Sequence, residues 1–163
     1  MLQALDAGEV RRWAAGCVQA LGAHREAIDR INVFPVADND TGSNLLHTVR
    51  AALDALLHAP AETAGAALGA LARGALAGAR GNSGVIVSQL LRGLAAELAD
   101  AGTITGPGLR AALAHGAKLA TAAVSEPVAG TMLTVLDAAA AGARGADTLA
   151  EVAESAARAA AEA

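Results

Sequence analysis

The stretch Leu45-Leu46-His47-Thr48-Val49-Arg50-Ala51-Ala52-Leu53-Asp54-Ala55-Leu56-Leu57 places large apolar residues at 45, 46, 49, 53, 56 and 57. Intervals of three and four of this kind mark one face of an α-helix and fit no strand. Ala59-Pro60 stops it, since proline has no amide to donate and restricts the residue before it. Upstream, Val10, Trp13, Ala14, Cys17, Val18 and Leu21 repeat the spacing behind Asp6, a predicted N-cap. Gly22 is expected to end that helix, with a short second one over 23–31 delivering the chain to Asn32. Downstream, residues 61–77 read as a helix of small residues. Glycines at 78, 81 and 84 then break the pattern, and Asn82 or Ser83 would cap the next helix, which carries Val85, Ile86, Leu90, Leu91, Leu94 and Leu98. Residues 102–108 form a loop, two further helices are expected at about 109–124 and 131–143, and 147–163 is the weakest element because Leu149 and Val152 are its only large apolar residues. The reading is all-α, with seven or eight helices, no strand and no repeat of solenoid length.

Composition agrees. Hydrophobic residues are 54% of the chain but aromatics only 1%, so the apolar content is mostly Ala, Leu and Val, and alanine is the best helix former. A chain of 163 residues builds one core, so residues 1–163 are taken as one domain. Net charge is −4, and Lys118 is the only lysine, which argues against a nucleic-acid partner, because nothing here forms a basic stripe. The longest run without a formal charge, 13–24, falls well short of the ~20 residues that span a bilayer. No basic start leads into an apolar run, so no secretory signal is read. Cys17 is the only cysteine, which excludes an intrachain disulfide and agrees with a cytoplasmic location.

Three loops are polar, carry glycine or proline, and precede apolar helices. The first is Asn32-Val33-Phe34-Pro35-Val36-Ala37-Asp38-Asn39-Asp40-Thr41-Gly42-Ser43-Asn44. Two carboxylates at i and i+2 in non-helical backbone can converge on one point, and hard oxygen ligands suit Mg²⁺. An EF-hand is excluded: counting from Asp38, the sixth and twelfth places need Gly and Glu but hold Ser43 and Val49. The competing reading makes Asp38 and Asp40 turn and N-cap residues of the following helix. The second loop is Gly78-Ala79-Arg80-Gly81-Asn82-Ser83-Gly84. Bare backbone amides at a helix N-terminus would receive a phosphate there, although the same glycines also make an ordinary turn, and no Gly-Lys-Ser/Thr follows to make a Walker loop. The third, Gly130-Thr131-Met132, offers a hydroxyl and a thioether beside a ring, or simply core packing.

In combination these segments resemble a known family. Residues 32–44 match the magnesium-binding signature Asn-Val-Phe-Pro-Val-x-Asp-x-Asp-Thr-Gly-x-Asn of bacterial fatty acid kinase. Gly-Ala-Arg-Gly-Asn-Ser-Gly-Val-Ile-x-Ser-Gln, at 78–89, is similar to its phosphate loop, and Pro-Val-Ala-Gly-Thr-Met-Leu-Thr-Val, at 127–135, to its third motif. The superfamily includes the dihydroxyacetone kinase L subunit. The resemblance implies a barrel or bundle of about eight antiparallel helices, with ATP bound at the loop end. Asp38 and Asp40 would act as catalytic metal ligands for two Mg²⁺ ions. Asn32 stands where the dihydroxyacetone kinase branch has a third aspartate. Thr41, Ser43 and Asn44 would reach phosphate or metal-bound water; Gly81, Asn82, Ser83 and Gly84 would cradle phosphates; and Thr131 and Met132 would line the adenine. Ala37 and Asn39 replace the family's usual proline and glycine, and asparagine tolerates left-handed backbone. The family domain continues into a glycine-rich segment beyond its last helix, so against that pattern this chain reads as shortened at its C-terminus.

The implied activity is phosphorylation of a fatty acid carboxylate to an acyl phosphate, the acid being presented by a separate fatty-acid-binding, DegV-like protein; a homodimer is also compatible. A carboxylate is already ionised at neutral pH, so no general base is needed, and His24, His47, His58 and His115 read as helix residues. Two other readings stay open: a kinase subunit for dihydroxyacetone or a similar small acceptor, and a nucleotide-binding regulatory module without turnover.

Overall fold

The computed structural model describes residues 2–31, 39–128 and 131–163. Among them the regular elements are α1 (Ala7–Ile31), α2 (Thr41–His58), α3 (Ala64–Gly78), α4 (Gly81–Glu97), α5 (Gly106–Ala122), α6 (Met132–Gly142) and α7 (Leu149–Glu162). The expected all-α class is what the chain adopts. The one β contact among the described residues is an isolated bridge between Leu5 and Ile104.

Short connections between amphipathic helices make consecutive helices antiparallel neighbours. Close contacts trace that order. Gly42 at the start of α2 meets Arg25 and Ile28 near the end of α1; Gly74 in α3 meets Ala51, Ala52 and Ala55 of α2; and Gly65 at the start of α3 meets Leu98 just past the end of α4. Gly93 and Gly116 bring α4 and α5 together so closely that a Cβ at Gly93 would lie 2.4 Å from the Gly116 Cα. The up-and-down order puts the N-termini of α2, α4 and α6 at one end of the bundle. The main core joins α1 to α5 through Val10, Leu56, Leu68, Leu71, Leu91 and Leu94, with alanines filling the spaces between them.

Most boundaries follow local chemistry. Asp6 caps α1 as expected, in a reciprocal box: Glu9 N donates to Asp6 Oδ1 at 2.9 Å, and Asp6 N to Glu9 Oε2 at 2.8 Å. Thr63 caps α3 and Thr105 caps α5, which begins at Gly106-Pro107 rather than at 109 because proline suits a first turn. Thr148 and Glu151 form a second capping box at α7. The stretch expected to be weakest is therefore a full helix, with Val152 wholly buried, because its cap supplies what its few large apolar residues do not. Two expectations are corrected. Asn82 and Ser83 do not cap α4; Arg80 occupies the N-cap position and the helix already includes Gly81. Gly22 does not end a helix, since α1 runs unbroken from Ala7 to Ile31.

The continuity of α1 has a physical reason. Gly22 has no positive φ, and a Cβ there would meet nothing within 4 Å, so the residue sits in ordinary helical backbone between good helix formers. A glycine in that setting costs about 1 kcal/mol relative to alanine, which a packed 25-residue helix absorbs. Gly22→Ala should accordingly raise stability in urea or thermal unfolding by about 0.5–1 kcal/mol. A helix terminus in left-handed backbone at Gly22 would instead make the same substitution destabilising.

Candidate functional site

Asp40 occupies the N-cap position of α2, in backbone with φ −127° and ψ 4°, yet its side chain makes no capping hydrogen bond. The amides it would have capped are served from α1. Asp29 Oδ1 accepts from Ser43 N at 3.0 Å, and Asp29 Oδ2 from Ser43 Oγ at 2.7 Å. The Ser43 hydroxyl foremost, then the amides of Ser43 and Gly42 with Arg25 nearby, holds the Asp29 carboxyl below the ordinary aspartate range against the opposing effect of burial. Asp29 therefore closes the loop, tying the last turns of α1 to the first turn of α2 across residues 32–40. Asn39, directly before Asp40, has φ +56°; this is left-handed backbone, which asparagine accepts more readily than most residues.

The glycine-rich loop is brought against this turn. Gly81 opens α4 with φ +65°, and a Cβ on it would fall 2.4 Å from Asn44 Nδ2. Glycine is required there by both backbone and space. Thr48, one turn beyond Asn44 and wholly buried, donates from Oγ1 to Asn44 O at 2.8 Å and accepts from Arg80 N at 3.2 Å. A Cβ at Gly84 would lie 2.5 Å from that hydroxyl oxygen. Ser83 and Gly84 are buried in the first turn of α4, whereas Arg80, Gly81 and Asn82 are exposed. Thr131 is the N-cap of α6; its hydroxyl donates to Val128 O at 2.8 Å and its amide to Thr134 Oγ1 at 3.4 Å. Met132 packs, with Leu136 and Val124, against the small core of Ile86, Ala120 and Leu133, so the third segment meets the second through Ile86.

The structure thus gathers Asp40, Thr41, Ser43 and Asn44 with Gly81, Asn82, Ser83 and Gly84 at one end, with Thr131 and Met132 joined to them through the α4–α6 contact. Asn32 and Asp38, and Gly130 of the third loop, lie outside the described residues. Of the histidines, His58 Nδ1 lies 2.7 Å from Asp54 O, and His115 Nδ1 lies 3.2 Å from Glu97 Oε2 on the neighbouring helix. Two residues of this network, Asp29 and Thr48, carry no signal in the sequence: a lone aspartate late in a helix and a threonine on an otherwise apolar helix look ordinary until the fold pairs them. An apolar cleft of about 760 Å³ was equally invisible. It runs along α1 from Trp13 past Cys17, Leu21 and Ile28 to Ile31, and Val49 and Leu90 close its far walls. Burial pushes the Cys17 thiol up, so Cys17 behaves there as a small apolar wall.

The chain is an all-helical bundle whose polar, glycine-bearing turns meet at one end, where the Asp40 carboxylate makes no capping bond beside the exposed start of α4. The chain belongs to the DAK2 domain family, whose model matches residues 35–163. That family supplies the ADP- and ATP-binding L-subunit module of dihydroxyacetone-type kinases. Protein YloV of Bacillus subtilis is 37% identical over 134 residues, covering 82% of this chain and 24% of its own length. An uncharacterized protein of Staphylococcus saprophyticus is 38% identical over 117 residues, 72% of this chain and 21% of its own. An uncharacterized protein of Staphylococcus aureus is 37% identical over the same shares. The chain spans about a quarter of the length of these curated relatives. Among the described residues no helix is long and apolar enough to cross a membrane.

Because the Asp29 pKa is lowered in the folded state, its contribution to stability is complete above the ordinary aspartate range and is lost as pH falls through the depressed value. Asp29→Asn should therefore lower the thermal midpoint at neutral pH and make the midpoint fall less steeply on acidification below about pH 4. A wild-type acid limb reproduced unchanged by the variant would show that Asp29 does not close the loop.

Proposed function

We propose that this chain is an ATP- and Mg²⁺-dependent phosphotransferase domain whose acceptor is a fatty acid carboxylate. The observation that carries the reading is Asp40: a carboxylate at a helix start, relieved of capping by Asp29 and set next to the Asn44–Gly81 contact. An aspartate serving only as a cap would bond its own first-turn amides, and here those amides are taken. Asp40 and its sequence neighbour Asp38 are the oxygen donors suited to hold two Mg²⁺ ions, with Asn32 as a neutral third ligand. When bound, magnesium supplies the positive charge that phosphoryl transfer needs; Arg80 is the only formal cation in the loops read as the site.

The chain's own groups divide the remaining work. The amides opening α4 at Gly81, Asn82 and Ser83 receive phosphate oxygens at the positive end of that helix, and Gly84, whose own amide bonds Arg80 O, lines the same turn without a side chain. Thr41, Ser43 and Asn44 stand on the α2 side of the same space, and Thr131 and Met132 border the adenine. Transfer forms a bond between an acceptor carboxylate oxygen and the γ-phosphorus and breaks the bond from that phosphorus to the bridging oxygen, releasing ADP. No proton has to move, which is consistent with a site built without a histidine base.

The apolar cleft favours an acyl acceptor over a small polyol. Its lining is almost wholly apolar, with the rings of His24 and Trp13 carrying its few polar side-chain atoms, and a three-carbon hydroxy ketone would replace few of its hydrogen bonds to water there. The acid itself is delivered by a separate fatty-acid-binding protein of the DegV kind. Calorimetry with ATP, with and without Mg²⁺, tests the reading, together with turnover on a fatty-acid-loaded partner and on dihydroxyacetone. Asp38→Ala and Asp40→Ala should each abolish Mg²⁺-dependent nucleotide binding while leaving helicity by circular dichroism near normal. Loss of helicity in these variants would make the aspartates structural caps. Nucleotide binding without turnover on either acceptor would make the domain a regulatory module.

A further inference from the structure

We infer that Thr48 is the positioning residue for nucleotide binding: its buried hydroxyl sets the first turn of α4, and the amides of Gly81 to Ser83 with it, at a fixed place against the first turn of α2. The inference rests on the reading of the site as a nucleotide pocket. A threonine hydroxyl in a helix commonly donates to the carbonyl four residues back, and the bond to Asn44 O at 2.8 Å is of that kind. Such a bond concerns only its own helix. The second bond, from Arg80 N at 3.2 Å, reaches a residue 32 positions away, on a helix separated from α2 in the chain by the whole of α3.

Arg80 is the N-cap residue of α4, and its carbonyl accepts from Gly84 N at 3.1 Å. The hydroxyl therefore holds the residue from which the first helical hydrogen bond of α4 springs. One hydroxyl both donates and accepts, so Thr48 links the α2 backbone at Asn44 to the α4 backbone at Arg80 through a single oxygen. The glycines of the loop fit around this link: Gly84 leaves room for the hydroxyl oxygen and Gly81 for the Asn44 amide. Asn44 and the Gly81 to Ser83 amides thereby share one register, which a triphosphate spanning both helix starts requires.

Valine is nearly the shape of threonine but offers neither donor nor acceptor; serine keeps the hydroxyl and loses a methyl. The affinity for ATP in the presence of Mg²⁺ is measured by calorimetry, and the unfolding midpoint by thermal melting, for wild type, Thr48→Val and Thr48→Ser. Thr48→Val should lower the unfolding midpoint, because it leaves the Arg80 amide without its partner, and weaken binding about tenfold. Thr48→Ser should bind within about twofold of wild type despite a lower midpoint, since it keeps the bond and creates a small cavity. A role confined to core filling gives the opposite pattern, with valine silent and serine the weaker variant. Proton exchange of the Arg80 amide without nucleotide is the second readout: removing the hydroxyl, by valine or by alanine if valine folds poorly, should speed it about tenfold, and serine should restore it. Wild-type affinity or unchanged Arg80 exchange in the hydroxyl-free variant overturns the inference and leaves the site reading standing. A wild-type chain that does not bind ATP with Mg²⁺ overturns both.

Discussion

The carboxylate of Asp29 on the amide and hydroxyl of Ser43 is the contact on which the rest of the site depends. A helix start leaves several amides without partners, and the usual remedy is the side chain of the N-cap residue itself. Here the remedy comes from the preceding helix, with two consequences. The end of α1 and the start of α2 are drawn together by a side chain of α1. The N-cap carboxylate of Asp40 is also released from structural duty, so acidic groups can stand at a helix start for chemistry instead of capping. Asp29 provides the support, and Asp40 is left for the ligand that the proposed function assigns to it.

Legibility in the sequence follows the range of the forces involved. The Leu-rich face of α2, the Ala59-Pro60 stop and the Asp6 cap are local, and all appear where the pattern places them. Gly22 misleads because glycine signals an ending only where the backbone turns left-handed, and here it lies in ordinary backbone inside the 25-residue α1. Asn82 and Ser83 have cap-forming side chains, but Gly81 takes positive φ and the helix begins there, two residues before an Asn82 cap would start it. The weak hydrophobicity of 147–163 was offset by Thr148 and Glu151, a box spelled out in the sequence as Thr-x-x-Glu.

The candidate site divides in the same way. Its loops stand out as runs of glycine, aspartate and asparagine before apolar helices, and the fold brings Asn44 against Gly81. The residues that make those loops cohere were hidden. Thr48 shares a helix face with leucines and alanines, and Asp29 sits in a turn with Arg25, Glu26 and Arg30 that reads as solvated surface. Each becomes informative only through a partner 32 or 14 positions away, a separation that periodicity does not register. The apolar cleft is of the same type: Trp13, Leu21 and Ile28 belong to the core stripe of α1 by spacing, and only the packing of α2 and α4 leaves space beside them.

The small-residue composition and the chemistry of the site are linked through distance. Glycines and alanines at the contacts let neighbouring helices approach until no Cβ could be added at Gly42, Gly74, Gly84 or Gly93 without displacing a neighbour. An up-and-down bundle packed this tightly brings the starts of α2, α4 and α6 into one small region, and each helix start carries roughly half a positive charge. Such an end attracts phosphate without lysine, and the only lysine, Lys118, lies on α5, outside the three loops. In the proposed reading helix starts alone would not balance a triphosphate, and divalent cations held by Asp38 and Asp40 would add positive charge where the helix starts run short. Bulkier residues at the helix contacts would keep the chain helical but spread those starts apart, so the alanine-rich composition is a condition of the proposed chemistry as well as of the fold.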